Sequence, residues 1–239
     1  APITLDSLTS GFNISSDKTQ NDKFNEMMGF TEEELRKLMK EQDIEEEKQK
    51  EILPIMRENY DGYRFSLYGK EKIYNSNMCL YFLNNYLENR RIPNQLIDMN
   101  IASDYTKLGK MLDLCQGEER EKVIEKTVSG EGIVSEITQK FNPAMEFTET
   151  DLVSMLYYLG YLTITGEVFE KPELKIPNKV MKEIYSDYFL GILKEETNLR
   201  VTENDYNEML REIALEGKID KIVEMLGKYL KNLSNRDYQ

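Results

Sequence analysis

One segment, 151–193, changes its hydrophobic period twice, and this change restricts the possible folds more than any other feature. Its first part repeats apolar residues at helical spacing; Thr150 or Asp151 can cap this helix, and Gly160 follows where a helix end tolerates positive φ. The middle part, Tyr161–Ile176, is rich in β-branched and aromatic residues around a turn and predicts a β-hairpin. The last part has helical spacing again. Helix, hairpin and helix in this order predict a winged-helix-like unit, in which no chemistry is visible.

Composition and charge exclude several classes of protein. The 239 residues are 40% hydrophobic, which is enough to bury a core. A net charge of −13 and a pI near 4.7 argue against nucleic-acid binding through the overall field. No apolar run is long enough to span a bilayer, and we expect no signal peptide before the first element. Cys79 and Cys115 lie in apolar helical patterns, which predicts buried free thiols and a cytoplasmic protein.

No complete active site is visible in the sequence. The chain has no histidine, the commonest general base and metal ligand. It also has no Gly-x-x-x-x-Gly-Lys-Ser/Thr loop to hold the phosphates of a nucleotide. Ala1 already lies inside an apolar phrase, so we expect the chain to start within a longer protein.

The remaining pattern is mainly helical. Thr31 and Glu34 have the spacing of a capping box, and Ser76 or Asn77 can cap a strongly apolar helix. Between these helices, the alternation from Tyr63 to Tyr74 predicts a second small β-hairpin. The expected fold class is therefore mainly α (α+β).

Two charged runs have simple structural explanations. The run Glu45–Glu51 has the spacing of a solvated helix face with i,i+4 ion pairs. The pair Arg90–Arg91 is a possible anion site, but cations at a helix end also favour the helix dipole without any ligand.

Several phrases, taken together in this order, resemble one family: the bacterial AAA-ATPase-like proteins that are often fused to a PD-(D/E)XK-type nuclease domain. The matching phrases are Pro2–Asp6, Ser10–Ile14, Gly29–Glu34, Tyr60–Phe65, Tyr74–Asn75, Leu156–Ile164 and Leu174–Asn178. In such proteins the Walker A and Walker B segments precede the phrase at Ser10–Ile14, and the nuclease carboxylates follow a phrase like Leu233–Tyr238. The resemblance therefore implies a middle piece of a longer protein.

This resemblance implies a domain plan and a function. Residues 1–60 would be the end of an ATPase core, 61–140 a helical lid, 141–198 a winged-helix-like domain and 199–239 a helical pair. The chain would be a regulatory fragment of a P-loop ATPase, inactive alone, with the ATPase core and nuclease-like domain as partners in the same polypeptide. A homo-oligomer is possible. ATP and Mg²⁺ are implied for the parent protein, and no cofactor for this chain.

Arg64 is the candidate nucleotide-facing residue. It lies in the densest of the matching phrases, beside the glycine of a turn. The alternative is a hairpin arginine that pairs with one of the many carboxylates.

Two further interpretations remain open. A DNA-binding winged helix needs donors for phosphates and base edges, but no Lys or Arg lies between Asp151 and Gly160. In such a unit the hairpin Tyr161–Ile176 would be the wing. The cations near the wing are Lys171, Lys175 and Lys179, and neighbouring glutamates offset their charge. A free-standing hydrolase with paired acids is the third interpretation, and no acidic pair has an evident partner. We therefore expect the helix after Asp151 to be buried in packing, against the helix from Lys179 and the helices after Thr202.

Overall fold

The computed structural model describes residues 4–5, 18, 20–97, 104–115, 117–138, 140–141 and 147–197. The chain divides into two compact units, Ala1–Tyr185 and Ser186–Gln239, and the described part of the second unit is a helical stretch, 186–197. The phrases at Ser10–Ile14 and Leu233–Tyr238 and the helices expected after Thr202 lie outside the described residues.

Helices dominate the described residues, so the predicted fold class, mainly α (α+β), is confirmed. The α-helices are α1 Glu32–Glu41, α2 Glu46–Tyr60, α3 Ser76–Asn89, α4 Asp104–Leu112, α5 Glu118–Ser129, α6 Glu149–Tyr158 and α7 Lys179–Thr197, with a 3₁₀ helix at Asp22–Met28. The strands are β1 Thr4–Leu5, β2 Ile133–Val134, β3 Lys140–Phe141, β4 Thr163–Val168 and β5 Lys171–Lys175.

The predicted hairpin at Tyr161–Ile176 is present as β4 and β5. These strands pair antiparallel, with an irregularity between Ile164 and Gly166. Strand β2 joins the other edge of β5, where Ile133 lies opposite Leu174, and the sheet order is β2-β5-β4. Separately, β1 and β3 form a short parallel pair. The three-stranded sheet thus combines a strand from the expected segment 61–140 with two from 141–198.

The predicted hairpin at Tyr63–Tyr74 is shorter than expected. Tyr63 and Ile73 form a single antiparallel bridge, and a second bridge joins Phe30 to Tyr74. Between residues 63 and 73 the two sides of the loop form no further ladder, because the side chain of Asn25 hydrogen-bonds to the backbone groups that a ladder would use. Its Oδ1 accepts from the amides of residues 65 and 66, at 2.8 and 3.2 Å, and its Nδ2 donates to the carbonyl of residue 71 at 2.8 Å.

The starts of α1 and α6 are both capping boxes. At α1 the box of Thr31 and Glu34 forms as predicted. At α6, Thr148 is the N-cap and Asp151 is the reciprocal partner three residues later, so the prediction of Thr150 or Asp151 as the cap was wrong. Asp151 prefers the inner position because its carboxylate there accepts from both the hydroxyl and the amide of Thr148, at 2.7 and 3.0 Å.

Two other helix boundaries can be compared with the sequence. Helix α3 is capped by Asn75, whose side chain accepts from the amide of Met78, so the prediction of Ser76 or Asn77 was also displaced by a residue. Helix α6 ends as predicted. Gly160 has φ +82°, and the next amide donates back to the Leu156 carbonyl at 2.8 Å, as in a Schellman motif.

Helix α6 lies in the core of the first unit. Its residues Leu152, Val153, Leu156 and Tyr157 are fully buried. Its neighbours include α4 and α5, which precede it in the chain. Both cysteines are buried and neither forms a disulfide, as predicted. Since the helix exposes few side chains, its face is used for packing.

Candidate functional site

The turn after α2 is held against the start of α7 by a glycine. Gly62 has φ +108°, and a Cβ added there would lie 2.3 Å from the carbonyl oxygen of Pro177. A side chain therefore cannot fit at this position without moving one of the two segments. The sequence predicted the turn at Asp61–Gly62 but not what it touches.

Asn178 connects the same two segments through hydrogen bonds. Its Oδ1 accepts from the amide of Met181 at 3.1 Å, at the start of α7. Its Nδ2 donates to the carbonyl of Asp61 at 3.0 Å. One amide side chain thus fixes both the helix start and the turn, and we call the group Asp61–Arg64, Thr163–Ile164 and Pro177–Asn178 the Gly62 junction.

Arg64, the predicted site residue, connects the turn after α2 to β4 within this junction. Its amide donates to Thr163 Oγ1 at 2.7 Å, and its Nε donates to the Ile164 carbonyl at 3.2 Å. The Ile164 amide in turn donates to the Arg64 carbonyl at 3.4 Å. The side chain is half-buried, and within the described residues its terminal guanidinium nitrogens have no hydrogen-bond partner. The contact of Arg64 with a nucleotide stays a prediction.

Aromatic rings pack on the other side of the junction. The Tyr157 hydroxyl, on α6, donates to the Phe65 carbonyl at 2.7 Å. The Phe65 ring lies between Tyr157 and Tyr63, with centroid distances of 6.1 and 6.3 Å. The turn, β4 and α6 are therefore joined by hydrogen bonds and by ring packing at once.

A second close approach brings in the phrase Gly29–Glu34. A Cβ at Gly29 would lie 2.3 Å from the carbonyl oxygen of Tyr74. Phe30 and Tyr74 exchange backbone hydrogen bonds of 3.1 and 2.8 Å. The Tyr74 hydroxyl donates to Glu32 at 3.0 Å. Several of the phrases that carry the resemblance lie between residues 29 and 178. In the structure these phrases are neighbours.

Glu32 is the most strongly perturbed carboxylate of this region. Arg57 on α2 donates to it from two nitrogens, Arg36 donates at 2.7 Å, and Tyr74 completes the set. These hydrogen bonds, that of Arg57 above all, lower the pKa of Glu32 from 4.5 to about 2. The sequence signal for this residue is weak, an acid in the first turn of a helix. No sequence signal indicates its partner 25 residues away.

Two polar groups of the turn are buried. Burial raises the pKa of the Asp61 carboxyl above its usual range, and its Oδ1 has no hydrogen-bond partner among the described residues. Burial also raises the pKa of the Tyr63 hydroxyl to about 12, beside the side chains of Asn75 and Asn178. Among the described residues neither Asp61 Oδ1 nor the Tyr63 hydroxyl has a hydrogen-bond partner that could act as its base or nucleophile, so the arrangement suits a structural junction better than a reaction centre.

Other features of the described residues add no reaction chemistry. No three side chains of His, Cys, Asp or Glu come close enough there to hold a metal ion. An open groove along α1 is lined by charges of both signs, such as Glu33, Lys37, Glu46 and Lys50. Within the part of the chain that the structure describes, no helix is both long and apolar enough to cross a bilayer.

No protein-family model matches this chain, and no curated protein and no solved structure is similar to it at a significant level. What the resemblance implies therefore has no support from these comparisons. The junction and the chain's own charges are the remaining basis for a function.

Proposed function

We propose that this chain is a non-catalytic coupling region of a P-loop ATPase, consisting of its helical lid and a winged-helix-like unit. The Gly62 junction is the observation that carries the proposal. It joins the end of α2, strand β4 and the start of α7 through a glycine contact and through hydrogen bonds to backbone atoms. A junction of this kind transmits a displacement of one segment to the others, because close-packed interiors are not freely deformable.

Arg64 would be the link between nucleotide and winged-helix unit. Its Nε is bonded to the backbone of β4, while its terminal nitrogens are available for a phosphate oxygen. The chain has no Gly-rich phosphate loop of its own, so the ATP and Mg²⁺ expected for the parent protein would be held by residues outside this sequence. In this proposal Arg64 adds one cation to a site built elsewhere.

The test combines the gene with two variants. The coding sequence upstream should contain a P-loop, and the longer protein should hydrolyse ATP. Arg64→Ala should then lower kcat by about tenfold or more, the scale expected for a cation that stabilises charge on a transferring phosphate. Arg36→Ala, at an exposed arginine on α1, should leave kcat unchanged. An unchanged kcat in Arg64→Ala, or a gene without a P-loop, would contradict the proposal.

The alternative is a DNA-binding winged helix, and the local charges disfavour it. The helix that would enter a groove, α6, is largely buried and carries no Lys or Arg. The cations near the wing are paired: Lys171 with Glu136 at 3.0 Å, Lys175 with Glu173 at 3.5 Å and Lys179 with Glu58 at 3.4 Å. The carboxylates beside these cations lower the local positive potential that would attract a phosphate backbone.

A gel-shift series across salt concentrations separates the two functions. Packing predicts weak or no binding of duplex DNA, and no change in Lys175→Ala. Tight, salt-sensitive binding that is lost in Lys175→Ala would instead establish the DNA-binding alternative.

A further inference from the structure

The tip of the β4–β5 hairpin has an unusual turn. Val168 pairs with Lys171, so Phe169 and Glu170 form a two-residue loop, and their φ values are +49° and +64°. This is the pattern of a type I′ turn, where Asn and Gly are preferred because they tolerate positive φ. A phenylalanine in this conformation costs folding free energy.

Burial does not compensate for this cost. Phe169 is 93% exposed, the highest value among the large hydrophobic residues described. A strained and exposed aromatic residue therefore contributes nothing evident to the stability of the hairpin. Aromatic residues, phenylalanine included, are enriched in protein interfaces relative to the rest of the surface.

The charges beside Phe169 indicate what it can contact. Glu167 and Glu170 are exposed and have no ion-pair partner among the described residues, whereas the neighbouring Lys171 is paired with Glu136. The tip is therefore aromatic and anionic. It would be repelled by a nucleic-acid backbone and would be attracted to an apolar surface that carries cations.

A surface of that chemistry lies at the end of α3 in the same chain. Arg90 and Arg91 are both exposed, and no carboxylate in the described residues forms an ion pair with either. Arg90 has φ +52° and closes the helix through its amide, which fixes the position of the pair. The half-buried Ile92 and Pro93 follow directly. Arginine beside apolar surface is a common composition for interface centres.

We propose that copies of this chain associate head to tail, with Phe169 of one copy against Arg90–Ile92 of the next. Glu167 and Glu170 pair with the two arginines across the contact. The two surfaces differ, so the contact is heterologous, and it produces a ring or an open chain. This inference is independent of the ATPase proposal.

The first experiment replaces the anchor. Sedimentation velocity of the whole protein over a range of concentrations should show self-association that Phe169→Asn weakens about tenfold or more. At the lowest concentration, where the wild type is dissociated, the same variant should melt at a higher temperature, because asparagine accepts positive φ more readily. Tyr68→Ala, at another aromatic residue that is 68% exposed, is the matched control and should associate like the wild type. A monomeric wild type, equal effects of both variants, or a lower melting temperature in Phe169→Asn would overturn the proposal.

The second experiment reverses the charges. Glu167→Arg with Glu170→Arg should abolish self-association, and so should Arg90→Glu with Arg91→Glu. An equimolar mixture of the two double variants should associate again, because the reversed tip then meets the reversed acceptor. If the mixture stays monomeric, Arg90–Arg91 is not the acceptor. If duplex DNA binds the wild type and not Phe169→Asn, the tip reads nucleic acid, which also contradicts the proposal.

Discussion

Single residues in this protein fix the positions of distant segments. One does so because it has no side chain, and another because its side chain forms hydrogen bonds. Gly62 admits the Pro177 carbonyl because it has no side chain, while Asn25 organises the loop after Tyr63 with its one amide group. Both act on backbone atoms, whose hydrogen-bonding groups must be satisfied when buried. Replacements at such positions should therefore show which contacts the fold requires.

Gly62→Ala should be strongly destabilising. Positive φ alone costs an alanine about 1–3 kcal/mol, and here the new Cβ would also lie 2.3 Å from the Pro177 oxygen. Gly117→Ala is the matched control, since its φ is +69° and nothing lies within 4 Å of the added Cβ. Urea unfolding of both variants gives the comparison. Equal losses of free energy would mean that the approach of Pro177 does not constrain Gly62.

Glu32 should make stability depend on pH in the acid range. Its folded-state pKa is lowered from 4.5 to about 2, so its stabilising contribution is complete above pH 4.5 and is lost as the pH falls toward 2. Glu32→Gln should flatten the curve of unfolding free energy in that window. Glu33→Gln, at the exposed neighbour on α1, should leave the curve as it is in the wild type. A Glu32→Gln curve that keeps the wild-type slope would contradict this role.

The sequence predicted these residues only where the signal is local. Two adjacent residues, Asp61 and Gly62, are enough to predict the turn. Its hydrogen-bond partner Asn178 follows 117 residues later. Nothing in residue spacing pairs the two. Arg64 could be singled out for the same local reason, whereas its bonds to β4 depend on tertiary contact.

At the scale of elements, hydrophobic period predicted more than capping or pairing did. The buried helix α6 and the hairpin β4–β5 follow directly from their patterns. The start of α6 was misplaced because Thr148, Thr150 and Asp151 are all good caps, and only the reciprocal bond selects among them. The hairpin after Tyr63 was predicted too long, since its alternation does not reveal the competing amide of Asn25.

Helix α6 offers a direct measure of the packing that its pattern implies. Leu156→Ala should lower the free energy of unfolding by about 2–5 kcal/mol, as for other fully buried leucines. Leu159→Ala, at the end of the same helix, should cost much less because that side chain is 45% exposed. Thermal or urea unfolding measures both, and a small loss in Leu156→Ala would be inconsistent with a packed helix.

At the scale of the whole molecule, the sequence lacks a phosphate loop, and this gives a testable expectation for the isolated chain. With no Walker lysine and no Gly-rich cradle, the purified protein should not hydrolyse ATP. Phosphate release measured across successive column fractions provides the test. Turnover that follows the protein peak through each column would refute this expectation.

The Gly62 junction also has a consequence for the order in which the chain folds. The hydrogen-bond partner of Asp61 is synthesised 117 residues later. At about 5–20 residues per second, this delay is on the order of ten seconds. The Tyr63–Ile73 bridge is too short to persist alone, so the aromatic residues after α2 stay exposed on the nascent chain during that time. In refolding with pulsed hydrogen exchange, the Tyr63 and Ile73 amides should become protected together with the Ile164 amide. Earlier protection of the first two would show that the turn forms before its distant partners arrive.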